Sequence, residues 1–215
     1  MRCVIVSNGD ILHYESMKEK IKDYDFLICA DGGAKHLFRM NRIPHFIVGD
    51  LDSIDEEVKK YFQEKKVIFY KFPKEKDYTD TELAVEYALE KGATEILFLG
   101  VMGSRMDHTL ANITLLVDLL KKGIKAKIIN EQNAIIATNE DIEIEGELGE
   151  YLSIIPLSEK VEGITLKGLK YPLSNATIHI GSSVGISNEF EEKKALIEIK
   201  KGIILIIKAK DKSPF

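Results

Sequence analysis

Phe26-Leu27-Ile28-Cys29-Ala30-Asp31-Gly32-Gly33-Ala34 decides the fold class of this chain. Five apolar residues without a polar break read as a strand buried on both faces, which is the grammar of a parallel sheet. An acid and two glycines follow, and a helical pattern over 33–40 comes next. The same unit recurs on either side. Apolar runs at 3–6, 45–48, 67–70 and 95–99 alternate with helical patterns near 16–22, 54–64, 80–91 and 107–122. Strand-helix alternation of this kind predicts an open parallel sheet covered on both faces.

Helix ends support the reading. Ser53-Ile54-Asp55-Glu56 and Thr79-Asp80-Thr81-Glu82 both have the capping-box pattern. Gly92 and Gly123 follow lysine-rich last turns, where a glycine in the left-handed conformation closes a helix. In the last helix Leu110, Ile113, Val117 and Leu120 recur at helical spacing and are expected to face the sheet.

After Ile128 the pattern changes. Short apolar runs at 134–138, 151–156, 161–166, 176–180, 195–200 and 203–208 leave little room for helices. They predict a small antiparallel sandwich or barrel, its last two strands joined as a hairpin at Lys201-Gly202. The expected division is an α/β domain over 1–130 and a β-sandwich domain over 131–215.

The chain has 215 residues, 45% hydrophobic and 30% charged, a composition that folds as a globule. A net charge of −5 argues against a general nucleic-acid binder. Two cysteines, Cys3 and Cys29, sit inside apolar runs and form neither a disulfide framework nor a zinc spacing. No apolar stretch reaches membrane-spanning length and the N-terminal run is too short for a secretion signal. A cytoplasmic protein without membrane contact is the expectation.

Polar clusters follow the strands of the first half: Ser7-Asn8-Gly9-Asp10, Asp31-Gly32-Gly33, Gly49-Asp50-Leu51-Asp52-Ser53, Asp77-Tyr78-Thr79-Asp80 and Gly103-Ser104-Arg105-Met106-Asp107-His108. If the strands are parallel, all five line the carboxyl edge of the sheet, where open α/β folds bind ligands. No Walker sequence and no complete G-x-G-x-x-G occurs, so a nucleotide site here uses another design.

Asp31-Gly32-Gly33 suits close approach to a phosphate at a helix start, and equally a tight turn needing glycine for its own dihedrals. Asp50 and Asp52, two apart in an extended chain, point to one side and repel unless a cation lies between them. With Ser53 suited to the cap, both aspartates point to Mg²⁺, which takes oxygen ligands and shares nucleotide phosphates. Thr79 and Asp80 have structural roles open to them, as cap and first-turn acid; Asp77 is less readily explained that way. Arg105 suits a phosphate fork, and Asp107 suits the N-cap of the last helix. His108 and Asn112, four apart, share a helical face.

Taken in order, six segments resemble the thiamin pyrophosphokinase family. They are Ala30-Asp31-Gly32-Gly33-Ala34, Gly49-Asp50-Leu51-Asp52-Ser53, Lys76-Asp77-Tyr78-Thr79-Asp80-Thr81-Glu82, Gly103-Ser104-Arg105-Met106-Asp107-His108, Gly168-Leu169-Lys170-Tyr171-Pro172-Leu173 and Ser187-Asn188. The resemblance implies an α/β catalytic domain, then a thiamin-binding β-sandwich, in a homodimer. It implies ATP and thiamin as substrates, and Mg²⁺ held by Asp50, Asp52 and Asp80. Asn8, Gly9, Asp31, Gly32, Gly33, Lys76, Thr79 and Arg105 become candidates for the nucleotide. Asp107, His108, Asn112, Ser187 and Asn188 become candidates for the second substrate. Asp77 and Asp107 both stand as the group that orients or deprotonates its hydroxyl. Ser104 stands where many members carry a second glycine. The chain also lacks the tryptophan on which some members stack thiamin, which leaves Tyr171 as the aromatic suggested for that task.

Two alternatives go with this expectation: a pyrophosphokinase for another heterocyclic alcohol such as a hydroxymethyl pterin, and a non-catalytic nucleotide or thiamin sensor. A nicotinamide-dependent dehydrogenase is disfavoured by the missing glycine fingerprint.

Overall fold

The computed structural model describes residues 1–73 and 77–210. The chain divides into two compact units, Met1–Glu131 and Gln132–Phe215. Among the described residues no helix is long and apolar enough to cross a membrane.

The first unit holds strands β1 (Arg2–Val6), β2 (Phe26–Ala30), β3 (Phe46–Gly49), β4 (Ile68–Lys71), β5 (Glu95–Leu99) and β6 (Lys125–Ile129). They lie in the order β6-β5-β1-β2-β3-β4, all parallel. Val4 is paired with Leu27 on one side and Leu97 on the other, so β1 is central. Cys3, Val4, Ile5 and Val6 are buried, as are Ile28, Cys29, Phe98 and Leu99, because helices cover both faces.

The helices are α1 (Tyr14–Lys20), α2 (Ala34–Arg39), α3 (Glu56–Glu64), α4 (Asp80–Glu90) and α5 (Met106–Lys121). The sheet grows from β1 through β2 and β3 to β4, while β5 and β6 lie on the opposite side of β1. The order therefore reverses between β1 and β5, which opens a crevice at the carboxyl ends of those two strands.

Two local expectations change. The stripe of α5 that is buried runs through Thr109, Leu116 and Leu119, whereas Leu110 is exposed. The helix carries two apolar stripes about one residue apart, and packing selects between them. Ser53 does not cap α3: that helix starts at Glu56, with Asp55 at the N-cap position and no side-chain cap bond. Thr79 does cap α4. Its hydroxyl accepts the Glu82 amide at 3.2 Å, and the Glu82 carboxylate accepts the Thr79 amide at 2.8 Å. Gly92 and Gly123 close their helices at φ 84° and 73°.

The second unit holds β7 (Asn133–Thr138), β8 (Ile142–Glu145), β9 (Tyr151–Pro156), β10 (Lys160–Lys167), β11 (Leu173–His179), β12 (Asn188–Glu189), β13 (Lys194–Glu198) and β14 (Ile204–Ala209). Within this unit β12-β9-β14-β7 form one antiparallel layer and β11-β10-β13-β8 another. Leu152, Ile154, Ile204 and Ile206 from the first pack with Val161, Ile164, Ala195 and Ile197 from the second. The expected final hairpin does not form. β13 pairs with β10 and β8, and β14 with β7 and β9, so the Lys201-Gly202 turn passes the chain from one layer to the other.

Candidate active site

A cleft of about 520 Å³ lies in the first unit, at the carboxyl ends of the strands. The loop after β1 lines it with Ser7, Asn8, Gly9 and Asp10, and the loop after β5 with Gly100 through Arg105. These loops flank the point where strand order reverses. Asp31 comes from the end of β2, Asp50 and Ser53 from the end of β3, and Tyr78 through Thr81 from the start of α4. His108, Thr109 and Asn112 come from α5.

Two of these loops build an acidic cluster. Asp31, Asp50 and Asp52 each offer one carboxylate oxygen, and these atoms lie within 4.8 Å of one another. The convergence arises differently from the expected extended chain. Leu51 takes φ 67°, and Asp50 Oδ1 accepts the Asp52 amide at 3.0 Å, so the segment is a turn. The Ser53 hydroxyl donates to Asp52 Oδ1 at 3.1 Å. Asp31 opens a 3-10 turn at φ 42° and is 6% exposed.

Among the described residues, Asp31 Oδ1 is buried with no hydrogen-bond partner. Burial pushes the Asp31 carboxyl above the ordinary range; the Ser53 hydroxyl opposes that, and the Asp80 and Asp50 carboxylates add to it. An unpartnered buried carboxylate oxygen is costly unless a cation takes it. Gly49 makes the approach possible: a Cβ there would come 2.8 Å from Asp31 Cβ and 3.1 Å from Asp80 Oδ1. Asp80 thus stands beside the cluster. An all-oxygen donor set with one unsatisfied atom fits a hard divalent cation such as Mg²⁺.

The remaining candidates are placed as follows. Lys76 lies outside the described residues. Asp77 is exposed, and neither it nor Asp52 is among the residues lining the cleft. The Thr79 hydroxyl is engaged in the helix cap. Thr81, buried in the first turn of α4, shares a hydrogen bond of 2.9 Å with the Ser7 hydroxyl and so ties α4 to the loop after β1.

Gly32 and Gly33 are closely packed. A Cβ on Gly33 would meet the Val6 carbonyl oxygen at 2.2 Å, and one on Gly32 would meet the Asn8 side chain at 2.5 Å. The amides of Gly9 and Asp10 are likewise engaged, donating to Gly100 and Met102 carbonyls at 2.6 and 2.7 Å.

Asp107 is not the N-cap of α5; that position is Arg105, and Asp107 sits in the first turn. The Arg105 guanidinium grips Asp107 with two bonds, Nη2 to Oδ2 at 2.6 Å and Nε to Oδ1 at 3.2 Å. That guanidinium, with the His108 amide, holds the Asp107 carboxyl down at about 2. Asn112 Nδ2 donates to the Val101 carbonyl at 2.8 Å, which fixes the wall of the cleft.

In the second unit Asn188 is buried, and both ends of its side-chain amide are hydrogen-bonded. Its oxygen accepts the amides of Tyr171 at 2.9 Å and Glu189 at 3.0 Å, and its nitrogen donates to the Tyr171 carbonyl at 2.7 Å. Asn188 thereby holds the backbone of Tyr171, a residue that is 57% exposed. Ser187 adopts φ 53°, its amide donating to Ser153 Oγ at 3.0 Å.

Sequence reasoning did not single out Ser7, Asp10, Tyr78, Thr81, Met102, Ser104 and Thr109 as site residues, although all line the cleft. Most belong to the post-strand clusters, so position alone was the available signal. Thr81 and Thr109 lie inside helix first turns, where a threonine carries no functional mark.

Comparison with known proteins gives a consistent answer. Residues 17–128 match the family model described as thiamin pyrophosphokinase, catalytic domain. Residues 135–204 match the one described as thiamin pyrophosphokinase, vitamin B1 binding domain. The thiamine pyrophosphokinase of Bacillus subtilis is 37% identical over 191 residues, covering 88% of this chain and 89% of that protein. A crystal structure of thiamine pyrophosphokinase from Bacillus subtilis superposes with a TM-score of 0.89 at 34% identity, covering 98% of this chain and 100% of the other. One of thiamin pyrophosphokinase from Geobacillus thermodenitrificans gives 0.87 at 30% identity, with 100% of both chains covered.

Proposed function

Since the chain belongs to the thiamin pyrophosphokinase family, we propose that it transfers the diphosphoryl group of ATP to the hydroxyl of thiamin, giving thiamin diphosphate and AMP. The observation that carries this reading is the acidic cluster at the cleft, with its buried, unpartnered Asp31 oxygen. The 1–130 region is proposed to hold ATP and the metal, and the 131–215 region to bind thiamin.

Asp50, Asp52 and Asp80 would hold Mg²⁺, with Asp31 supplying a further oxygen from the end of β2. When bound, Mg²⁺ supplies positive charge for the triphosphate oxygens. The thiamin hydroxyl oxygen forms a bond to the β-phosphorus. The bond from that phosphorus to the oxygen bridging it to the α-phosphorus breaks, and AMP leaves with the electron pair.

Arg105 lines the cleft and is shared with Asp107; a phosphoryl oxygen would compete for the same planar fork. Asp107, held near a pKa of about 2, is a weak proton acceptor at neutral pH. Its proposed task is to aim Arg105 and orient the hydroxyl, leaving proton removal to Asp77 or solvent. Asn8, Gly9, His108 and Asn112 shape the walls. Ser187 and Asn188 are proposed for the thiamin side, Asn188 acting through Tyr171. A cytoplasmic homodimer is the proposed working form.

The test is AMP release from ATP and Mg²⁺ with thiamin or a hydroxymethyl pterin as acceptor, with the diphosphate product identified by mass. Thiamin-dependent release supports the reading. Release with the pterin alone, or ATP binding without turnover, would replace it.

A further inference from the structure

His36 is a buried titratable group, 3% exposed, to which the reaction assigns no task. It projects from α2, and its Nε2 lies 2.7 Å from the Gly9 carbonyl oxygen. A carbonyl accepts only, so Nε2 carries the proton. Nδ1 is then bare and accepts the Tyr14 hydroxyl at 3.0 Å. The Tyr14 oxygen in turn accepts from Arg39 Nη1 at 2.9 Å. Each donor in this relay has one acceptor, so the chain from Arg39 through Tyr14 and His36 to Gly9 has a fixed direction.

Gly9 is held at its other end too, its amide donating to the Gly100 carbonyl at 2.6 Å. It leaves no space for a side chain: a Cβ would stand 2.4 Å from the Met102 carbonyl oxygen. On either side of Gly9 are Asn8 and Asp10, both of which line the cleft. The placement of those two side chains depends on how the Gly9 peptide is oriented.

We propose that His36 is a positioning residue: it locks the Gly9 peptide, and with it Asn8 and Asp10, in the conformation that receives ATP, using a tautomer imposed by Tyr14 and Arg39. The inference rests on the reading of the cleft as the ATP site. The half-buried Gly9 carbonyl, deprived of its donor, reorients to find another, and that moves the groups beside it.

The experiment compares the full chain with His36→Leu, His36→Gln and Tyr14→Phe. It measures thermal melting, equilibrium binding of ATP with Mg²⁺, and KM and kcat. His36→Leu removes the donor in a similar volume. It is expected to weaken ATP binding and raise its KM by about tenfold while kcat stays within about threefold. His36→Gln can still donate to Gly9 and should return binding to within about threefold of the starting chain. Tyr14→Phe should shift KM in the same direction by a smaller factor.

A His36→Leu variant that melts cooperatively and binds ATP unchanged overturns the proposal. So does a His36→Gln variant that melts normally yet binds as weakly as His36→Leu. If His36→Leu does not fold, an unchanged ATP KM in Tyr14→Phe overturns it. Direct binding separates this inference from the proposed reaction: a chain that binds ATP without turning over thiamin sinks the reaction, while the variant affinities still decide the role of His36.

Discussion

Asp31 and Asp50, from the ends of neighbouring strands β2 and β3, bring carboxylate oxygens within 4.8 Å of each other, and Asp31 Oδ1 has no partner among the described residues. Two carboxylates this close repel, and one of them is buried, so the arrangement is stable only at a cost to the metal-free fold. Asp31→Asn removes that charge. The metal-free variant is expected to melt about 3 °C higher, equivalent to roughly 1 kcal/mol for a chain of this size. Mg²⁺ should raise the melting temperature of the starting chain and leave that of Asp31→Asn nearly unchanged. A scan with and without Mg²⁺ checks both signs.

Asp52 lies outside the residues that line the cleft but within the acidic cluster. Asp52→Asn is expected to lower turnover by about a hundredfold or more with the far-UV circular dichroism unchanged. Near-normal turnover would remove Asp52 from the metal site.

Thr79 and Glu82 satisfy each other's amides at the start of α4, the helix that carries Asp80. Thr79→Ala loses one half of the box and should cost about 1 kcal/mol, seen as a melting temperature lower by about 3 °C. Thr79→Ser keeps the oxygen and should recover most of the loss.

Gly33 and Gly92 make opposite demands on a substituent. At Gly33 a Cβ would sit 2.2 Å from the Val6 carbonyl oxygen, so Gly33→Ala must push the loop after β1 away from α2. A loss of about 3 kcal/mol is expected, with weakened ATP binding. Gly92→Ala has nothing within 4 Å and only the φ of 84° against it. It should cost about 1 kcal/mol and leave binding intact. Urea unfolding of the pair measures the difference.

The His36 imidazole is pushed down to about 4, first by burial, with Lys35 and Arg39 adding and the Gly9 carbonyl and Asp10 opposing. Folded, it stays neutral where the unfolded chain takes up a proton, so the unfolded state binds more protons between about pH 6.5 and 4. Stability from this group is therefore complete above pH 6.5 and is lost as the pH falls toward 4. The full loss is on the order of 2 to 3 kcal/mol after allowance for partial solvent screening. Relative to the starting chain, His36→Gln should show a flatter stability profile across that window.

The strands of the first unit were legible because burial on both faces leaves continuous apolar runs, as in β1, β2 and β5. β6 was missed because Lys125 and Lys127 interrupt its apolar pattern. β8 alternates isoleucine with glutamate over four residues, and β12 has only two, so neither offers a periodic signal. The site was legible as a place: clusters at successive strand ends must share an edge in a parallel sheet. Gly32 and Gly33 suited a phosphate approach and a tight turn equally, and only the nearness of Val6 and Asn8 shows that neither position has space for a side chain.

The order of apolar runs and the capping box at Thr79 were settled by the sequence alone, because each depends on residues close together in the chain. The tertiary structure decided which stripe of α5 is buried, that β13 and β14 part into different layers, and that Asp31 joins Asp50 and Asp52. It also placed His36 beneath Gly9. Those outcomes depend on contacts between distant segments, whose free energies no local pattern contains.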